Sequence, residues 1–167
     1  MLVSGKELFQ AAKQGGYAVG AFNVNNMEII QAIIEAAEEE KSPVFLQASQ
    51  GGIKYAGIEY IAALAKAAAE KASVPVALNL DHGTSFSQVA QCIRHGFSAV
   101  MIDGSQLPYE ENIAITQKVV DVAHPCGVSV EAELGKIGGV EDDISVEAAE
   151  ATFTDPQEAA DFVERTK

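Results

Sequence analysis

The sequence predicts an α/β protein built as part of a (β/α)8 TIM barrel, with five parallel strands of the eight and one helix in front of them. Three observations carry this. Strand-like and helix-like stretches alternate along the chain, the pattern of a parallel sheet with helical crossovers. The strand-like stretches recur about every 25–30 residues, the size of one βα unit. Each of them also ends in side chains able to bind, ligate or carry protons.

Taken in order, "SGKELFQAAKQGG" (residues 4–16) is the leading short helix, and "YAVGAFNV" (17–24) is the first strand. "NMEIIQAIIEAAEEEK" (26–41) puts Ile29, Ile30, Ile33, Ile34 and Ala37 on one helical face. "PVFLQAS" (43–49) is the second strand, followed by the alanine-rich helix "IEYIAALAKAAAEKA" (58–72). "PVALNLD" (75–81) is the third strand, and "FSQVAQCIRHG" (86–96) is a helix closed by glycine. "SAVMIDG" (98–104) and "VSVEAELG" (128–135) are the fourth and fifth strands, with the helix "YEENIAITQKVVDVAH" (109–124) between them. "DPQEAADFVERT" (155–166) opens with an N-cap aspartate and a proline at the first helical position. The apolar runs of the strands suit burial on both faces.

A doubly wound open sheet would fit the same alternation. It is disfavoured because no glycine-rich G-x-G-x-x-G turn follows the first strand. The strand ends decide further. They carry Asn23, then Gln47 and Ser49, then Asn79, Asp81 and His82, then Asp103, then Glu131 and Glu133. A barrel gathers all of these on one rim, where such folds keep their chemistry. A complete barrel takes roughly 250 residues, so residues 1–167 are expected to form one incomplete barrel domain without strands six to eight. Its two open edges would be an association hazard.

Composition excludes some functions. The net charge of −13 argues against binding nucleic acid or an anionic membrane surface through bulk electrostatics. The acids of "EAAEEEK" (35–41) read as a solvated helix face. Cys92 and Cys126 have no metal-binding spacing and are expected to be buried free thiols. Lys6 is followed by amphipathic sequence rather than a signal peptide's apolar core, and no run is long enough to span a bilayer. A cytoplasmic protein is the expectation.

The candidates for chemistry sit at the strand ends. His82 can ligate a divalent metal and Asp81 can shuttle a proton beside it. The plainer alternative has Asp81 capping the next turn and His82 in a structural role. Asp103 in "MIDGS" and Glu133 in "VEAELG" can serve a metal or orient a ligand histidine. Against that stand a helix N-cap for Asp103 and an ion pair for Glu133. "LGKIGGVEDDIS" (134–145) carries Gly135, Gly138 and Gly139, then Glu141, Asp142 and Asp143. It reads equally as a lid delivering a base on closure and as a solvated acidic loop. In "SQGGIKYAG" (49–57), backbone amides and Lys54 could hold an anion, against an ordinary βα turn. His95 and His124 lie at helix ends, where the dipole explains them.

Together these motifs resemble the class II, metal-dependent fructose-bisphosphate aldolases. "YAVGAFNVNNMEIIQAIIEAAEEEKSPVFLQAS", "LDHG", "GFSAVMIDGS", "PYEENI", "VSVEAELGKIGG" and "DPQEAADFVERT" follow one another at the family's spacing. The resemblance implies reversible cleavage of fructose 1,6-bisphosphate to dihydroxyacetone phosphate and glyceraldehyde 3-phosphate. The family also holds tagatose-bisphosphate aldolases, which would change the sugar and keep the chemistry. By the same resemblance Zn2+, or another divalent metal, polarises the ketone as a Lewis acid. Carried over by motif, His82 resembles a zinc ligand, with Asp103 and Glu133 matching carboxylates near the metal. Asp81 resembles the proton shuttle at the C4 hydroxyl, and Glu141 falls where the family's mobile loop supplies its base. Asn23 and Ser49 match substrate-contacting positions. The other two zinc histidines and the phosphate-holding loops of the family lie beyond the fifth strand. The chain by itself is therefore expected to be inactive, or to act as a folding and assembly unit that needs a complementary chain. A homo-oligomer, dimer or tetramer, is implied for the full-length protein.

Overall fold

In the computed structural model, the described residues are 2–136, 139–141, 144–147 and 151–167. The elements are α1 (Gly5–Gly15), β1 (Gly20–Asn23), α2 (Met27–Glu39), β2 (Val44–Ser49), α3 (Gln50–Ala56), α4 (Ile58–Lys71) and β3 (Val76–Gly83). They continue with α5 (Phe86–Arg94), β4 (Ala99–Ile102), α6 (Tyr109–Ala123), a 3-10 turn (His124–Cys126) and β5 (Ser129–Ala132). The last are β6 (Gly139–Glu141), β7 (Ile144–Val146) and α7 (Pro156–Thr166).

Strands β1 to β5 form one sheet in chain order, every pair parallel. The register Gln47–Asn79, Asn79–Ala99 and Ala99–Ser129 runs straight across four strands. Alternation then sorts the side chains to two faces. Val44, Leu46, Ala48, Val76, Leu78, Leu80, Val100 and Ile102 pack on the helices in the main core, against Ile30, Ile34, Ile61, Ala65, Val89 and Val119. The opposite face carries Phe45, Gln47, Ser49, Ala77, Asn79 and Asp81, and α1 closes its N-terminal end through Leu8 against Phe45, Ala77 and Ala99. In a (β/α)8 barrel the face turned away from the helices is the lumen side. The α1 helix is fixed at its start by a capping box, Ser4 Oγ accepting from the Glu7 amide and Glu7 accepting from the Ser4 amide.

Four expectations are corrected. The edge strands are not buried on both faces: β1 is largely exposed and β5 partly so, because among the described residues each pairs with one strand. The stretch after Ser49 is not a simple turn but the helix α3, which Ser49 caps by accepting from the Gly52 amide at 3.2 Å. The segment after Gly135 holds the antiparallel pair β6–β7 rather than a plain loop. Cys126 is exposed, because the 3-10 turn carries it past the packed end of α6, while Cys92 is buried as expected. Among the described residues no helix is long and apolar enough to cross a membrane.

Candidate active site

The site is built where β3 is interrupted. Its pairing with β2 ends at Ser49–Asp81, and its register with β4 shifts between Leu80 and Gly83. His82 lies in that irregularity with φ 49°, in the left-handed region that non-glycine residues seldom enter. In a regular strand, neighbours point to opposite faces, and Asp81 and His82 could not both serve the lumen. The irregularity changes this, as bulges near active sites commonly do. It brings His82 to the carboxylates that follow β4 and β5. Gly83 completes the kink: a Cβ there would stand 2.6 Å from the Leu80 side chain and 2.7 Å from the Met101 carbonyl. The Gly83 carbonyl accepts from the Asp103 amide at 2.8 Å, which locks the end of β3 to the end of β4.

His82 Nδ1 lies 2.9 Å from Asp103 Oδ2 and 3.6 Å from Glu133 Oε2. The Asp103 side chain is 2 % exposed, and its other oxygen accepts from the Ser105 amide at 3.0 Å. Burial disfavours the charge on His82, but the Asp103 hydrogen bond and the charges of Asp81, Glu133 and Asp103 outweigh it and raise its pKa. Burial likewise opposes ionisation of Asp103, yet the hydrogen bonds from His82 and Ser105 hold its pKa below the usual value. Asp81 accepts from Gln47 Nε2 at 3.3 Å. One layer deeper, Asn79 donates to Glu131 at 3.4 Å. Protein crowding around the Glu131 carboxyl, with Asp81 nearby, raises its pKa although the residue as a whole is exposed.

The other sequence-selected residues divide. Ser49 stands beside Asp81 in the register, and Asn23, exposed at the end of β1, stands beside Gln47. Both flank the cluster on the same rim. The backbone of Glu141 runs in β6, while its carboxylate lies outside what is described, as do Gly138, Asp142 and Asp143. His95 and His124 cap the C-terminal ends of α5 and α6, away from the cluster. Gln50 escaped the sequence reading. It donates to the His82 carbonyl at 2.6 Å and accepts from Thr84 at 3.2 Å. Its one sequence signal was its place directly after a helix-capping serine.

Among the described residues His82, Asp103 and Glu133 form a cluster whose ligand atoms lie within 4.8 Å of one another. Zinc holds nitrogen and oxygen ligands at about 2.0–2.2 Å, so two ligands of one ion stand within about 4.4 Å. The 3.6 Å His82–Glu133 contact is made by Nδ1, the nitrogen that also meets Asp103; the mixed imidazole and carboxylate donors of the cluster suit a divalent transition metal. The His82–Asp103 contact has the length of a hydrogen bond, the usual way a ligand histidine is oriented.

The family model for fructose-bisphosphate aldolase class-II matches residues 3–167. The chain belongs to this family. Among class II aldolase relatives, the "Probable fructose-bisphosphate aldolase" of Bacillus subtilis is 54 % identical over 168 residues, covering 99 % of this chain and 58 % of the relative. The fructose-bisphosphate aldolase of Thermus caldophilus is 50 % identical, covering 99 % of this chain and 54 % of the relative. Of solved structures, the YdjI aldolase from Escherichia coli K12 superposes with a TM-score of 0.85 at 37 % identity, over 99 % of this chain and 58 % of that one. The fructose-bisphosphate aldolase of Campylobacter jejuni gives 0.79 at 27 % identity, over 99 % of this chain and 54 % of that one. The class II aldolase chain described here thus spans a little over half the length of the relatives it matches.

Proposed function

We propose that the protein carrying this chain is a metal-dependent aldolase that reversibly cleaves fructose 1,6-bisphosphate to dihydroxyacetone phosphate and glyceraldehyde 3-phosphate. The observation that carries the reading is the meeting of Asp81 and His82 with Asp103 and Glu133 at one rim of the sheet. The names of the similar proteins support it. His82 and Glu133 would hold a divalent cation, zinc first among them, with Asp103 fixing the imidazole through Nδ1 so that Nε2 faces away from it. When bound, the cation supplies Lewis-acid polarisation of the substrate ketone.

The chain's own residues do the rest. Asp81, kept in place by Gln47, takes the proton from the C4 hydroxyl during cleavage and returns it during condensation. Glu141 exchanges a proton with the dihydroxyacetone phosphate carbon. Asn23 and Ser49 contact the phosphorylated sugar from the neighbouring strand ends. A cytoplasmic homo-oligomer, dimer or tetramer, is the setting that accords with a soluble sugar-phosphate substrate. Asp81→Ala in the full-length protein should lower kcat for cleavage by about 100-fold or more while leaving bound zinc unchanged. Cleavage at the unsubstituted rate would refute the assignment.

The partly unpaired edges of β1 and β5 favour a second reading, in which these residues act as a folding and assembly unit. Mixing the chain with a separately made remainder of a class II aldolase should then restore cleavage. Failure of the two to associate rules it out.

A further inference from the structure

We propose that Gln50 is a positioning residue: its side-chain amide holds the His82 backbone in the left-handed conformation that presents the imidazole to the cation. The proposal rests on the aldolase reading of His82 and extends it to a residue outside the strand ends.

Three observations lead to it. The ladder from β2 stops at the Ser49–Asp81 pair, and the ladder to β4 is broken between Leu80 and Gly83. His82 lies between these two points, and Gln50 Nε2 donates to its carbonyl at 2.6 Å. The amide is itself fixed from behind, since Gln50 Oε1 accepts from Thr84 Oγ1 at 3.2 Å. One side chain thus ties residues 82 and 84 to the start of α3.

The backbone there needs such a tie. A non-glycine φ of 49° is a sparsely populated state and persists where its surroundings over-determine it. The next carbonyl, that of Gly83, is held by the Asp103 amide. Asp103 also holds the ring through Nδ1. Gln50 therefore fixes the main-chain end of His82 while Asp103 fixes the ring end, and both must hold for the donor nitrogen to keep its direction. Outer partners of this kind typically change metal affinity by 10–100-fold when removed.

The test uses the full-length protein, with Co2+ as a spectroscopic probe beside Zn2+. Gln50→Met keeps the length and removes the donor, and Gln50→Ala removes both. Either should weaken cation binding by roughly tenfold or more and shift the visible Co2+ bands, with apo-protein circular dichroism unchanged and KM moved less than kcat. Affinity within twofold of the unsubstituted protein in a folded variant overturns the proposal. A measurement on the unsubstituted protein stands if both variants misfold. The Gln50 side-chain amide protons should exchange slowly in nuclear magnetic resonance spectra, and rapid exchange overturns the contact itself. His82→Ala separates the two ideas. If it keeps full cation affinity, the aldolase reading of His82 falls; if it loses affinity while the Gln50 variants do not, the positioning role alone falls.

Discussion

Asp103 has one side chain and two duties, accepting from His82 and from the Ser105 amide at 2 % exposure. Asp103→Asn in the full-length protein keeps the shape and removes the charge. Zinc affinity should fall by about 10–100-fold, read by competition with a chromophoric chelator. The two cysteines give an independent check of packing. Burial pushes the Cys92 thiol up to about 12, so it stays protonated at pH 8 and gains thiolate only as pH rises towards that value. Alkylation at pH 8 followed by peptide mass spectrometry should mark exposed Cys126 and spare Cys92, and denaturant should expose both. Equal labelling in the native state would contradict the core packing. At this scale the sequence made Asp81, His82, Asp103 and Glu133 legible, because an acid or imidazole ending an apolar strand has few uses. Gln50 was not legible, because its role is to meet a main-chain carbonyl that sequence spacing does not show.

The elements follow local rules closely. Ser4, Asn26, Ser49, Ser85 and Asp155 each cap the helix they precede. Asp155→Ala removes acceptance from the Gln157 and Glu158 amides and should lower stability by about 1 kcal/mol in a denaturant titration. Alternating strand and helix patterns therefore made most of the architecture readable. The break in β3 was not readable, since "LDHG" continues an apolar strand and the kink arises from pairing with two neighbours at once. Its dependence on a bare Cα is testable. Gly83→Ala would force its methyl against Leu80 and the Met101 carbonyl and should cost about 1–3 kcal/mol, with loss of bound metal. Unchanged stability and metal content would mean that the irregularity is not the device that presents His82. The short α3 was missed for a related reason: two glycines beside a serine are equally the signature of a turn.

Across the whole molecule, five parallel strands in chain order put every polar strand end on one rim, and the helices cover the opposite face of the sheet. That arrangement, together with membership of the class II aldolase family, joins the separate side chains into one account. The chain covers a little over half of its relatives' length, so the 167 residues by themselves should show negligible cleavage of fructose 1,6-bisphosphate. The most direct measurement is the cleavage rate of the full-length protein after chelation of its metal, with and without added Zn2+, for the unsubstituted protein and His82→Ala. The account predicts that chelation abolishes cleavage, that Zn2+ restores it in the unsubstituted protein, and that His82→Ala stays inactive. Cleavage that survives chelation, or that Zn2+ restores fully in His82→Ala, would contradict it.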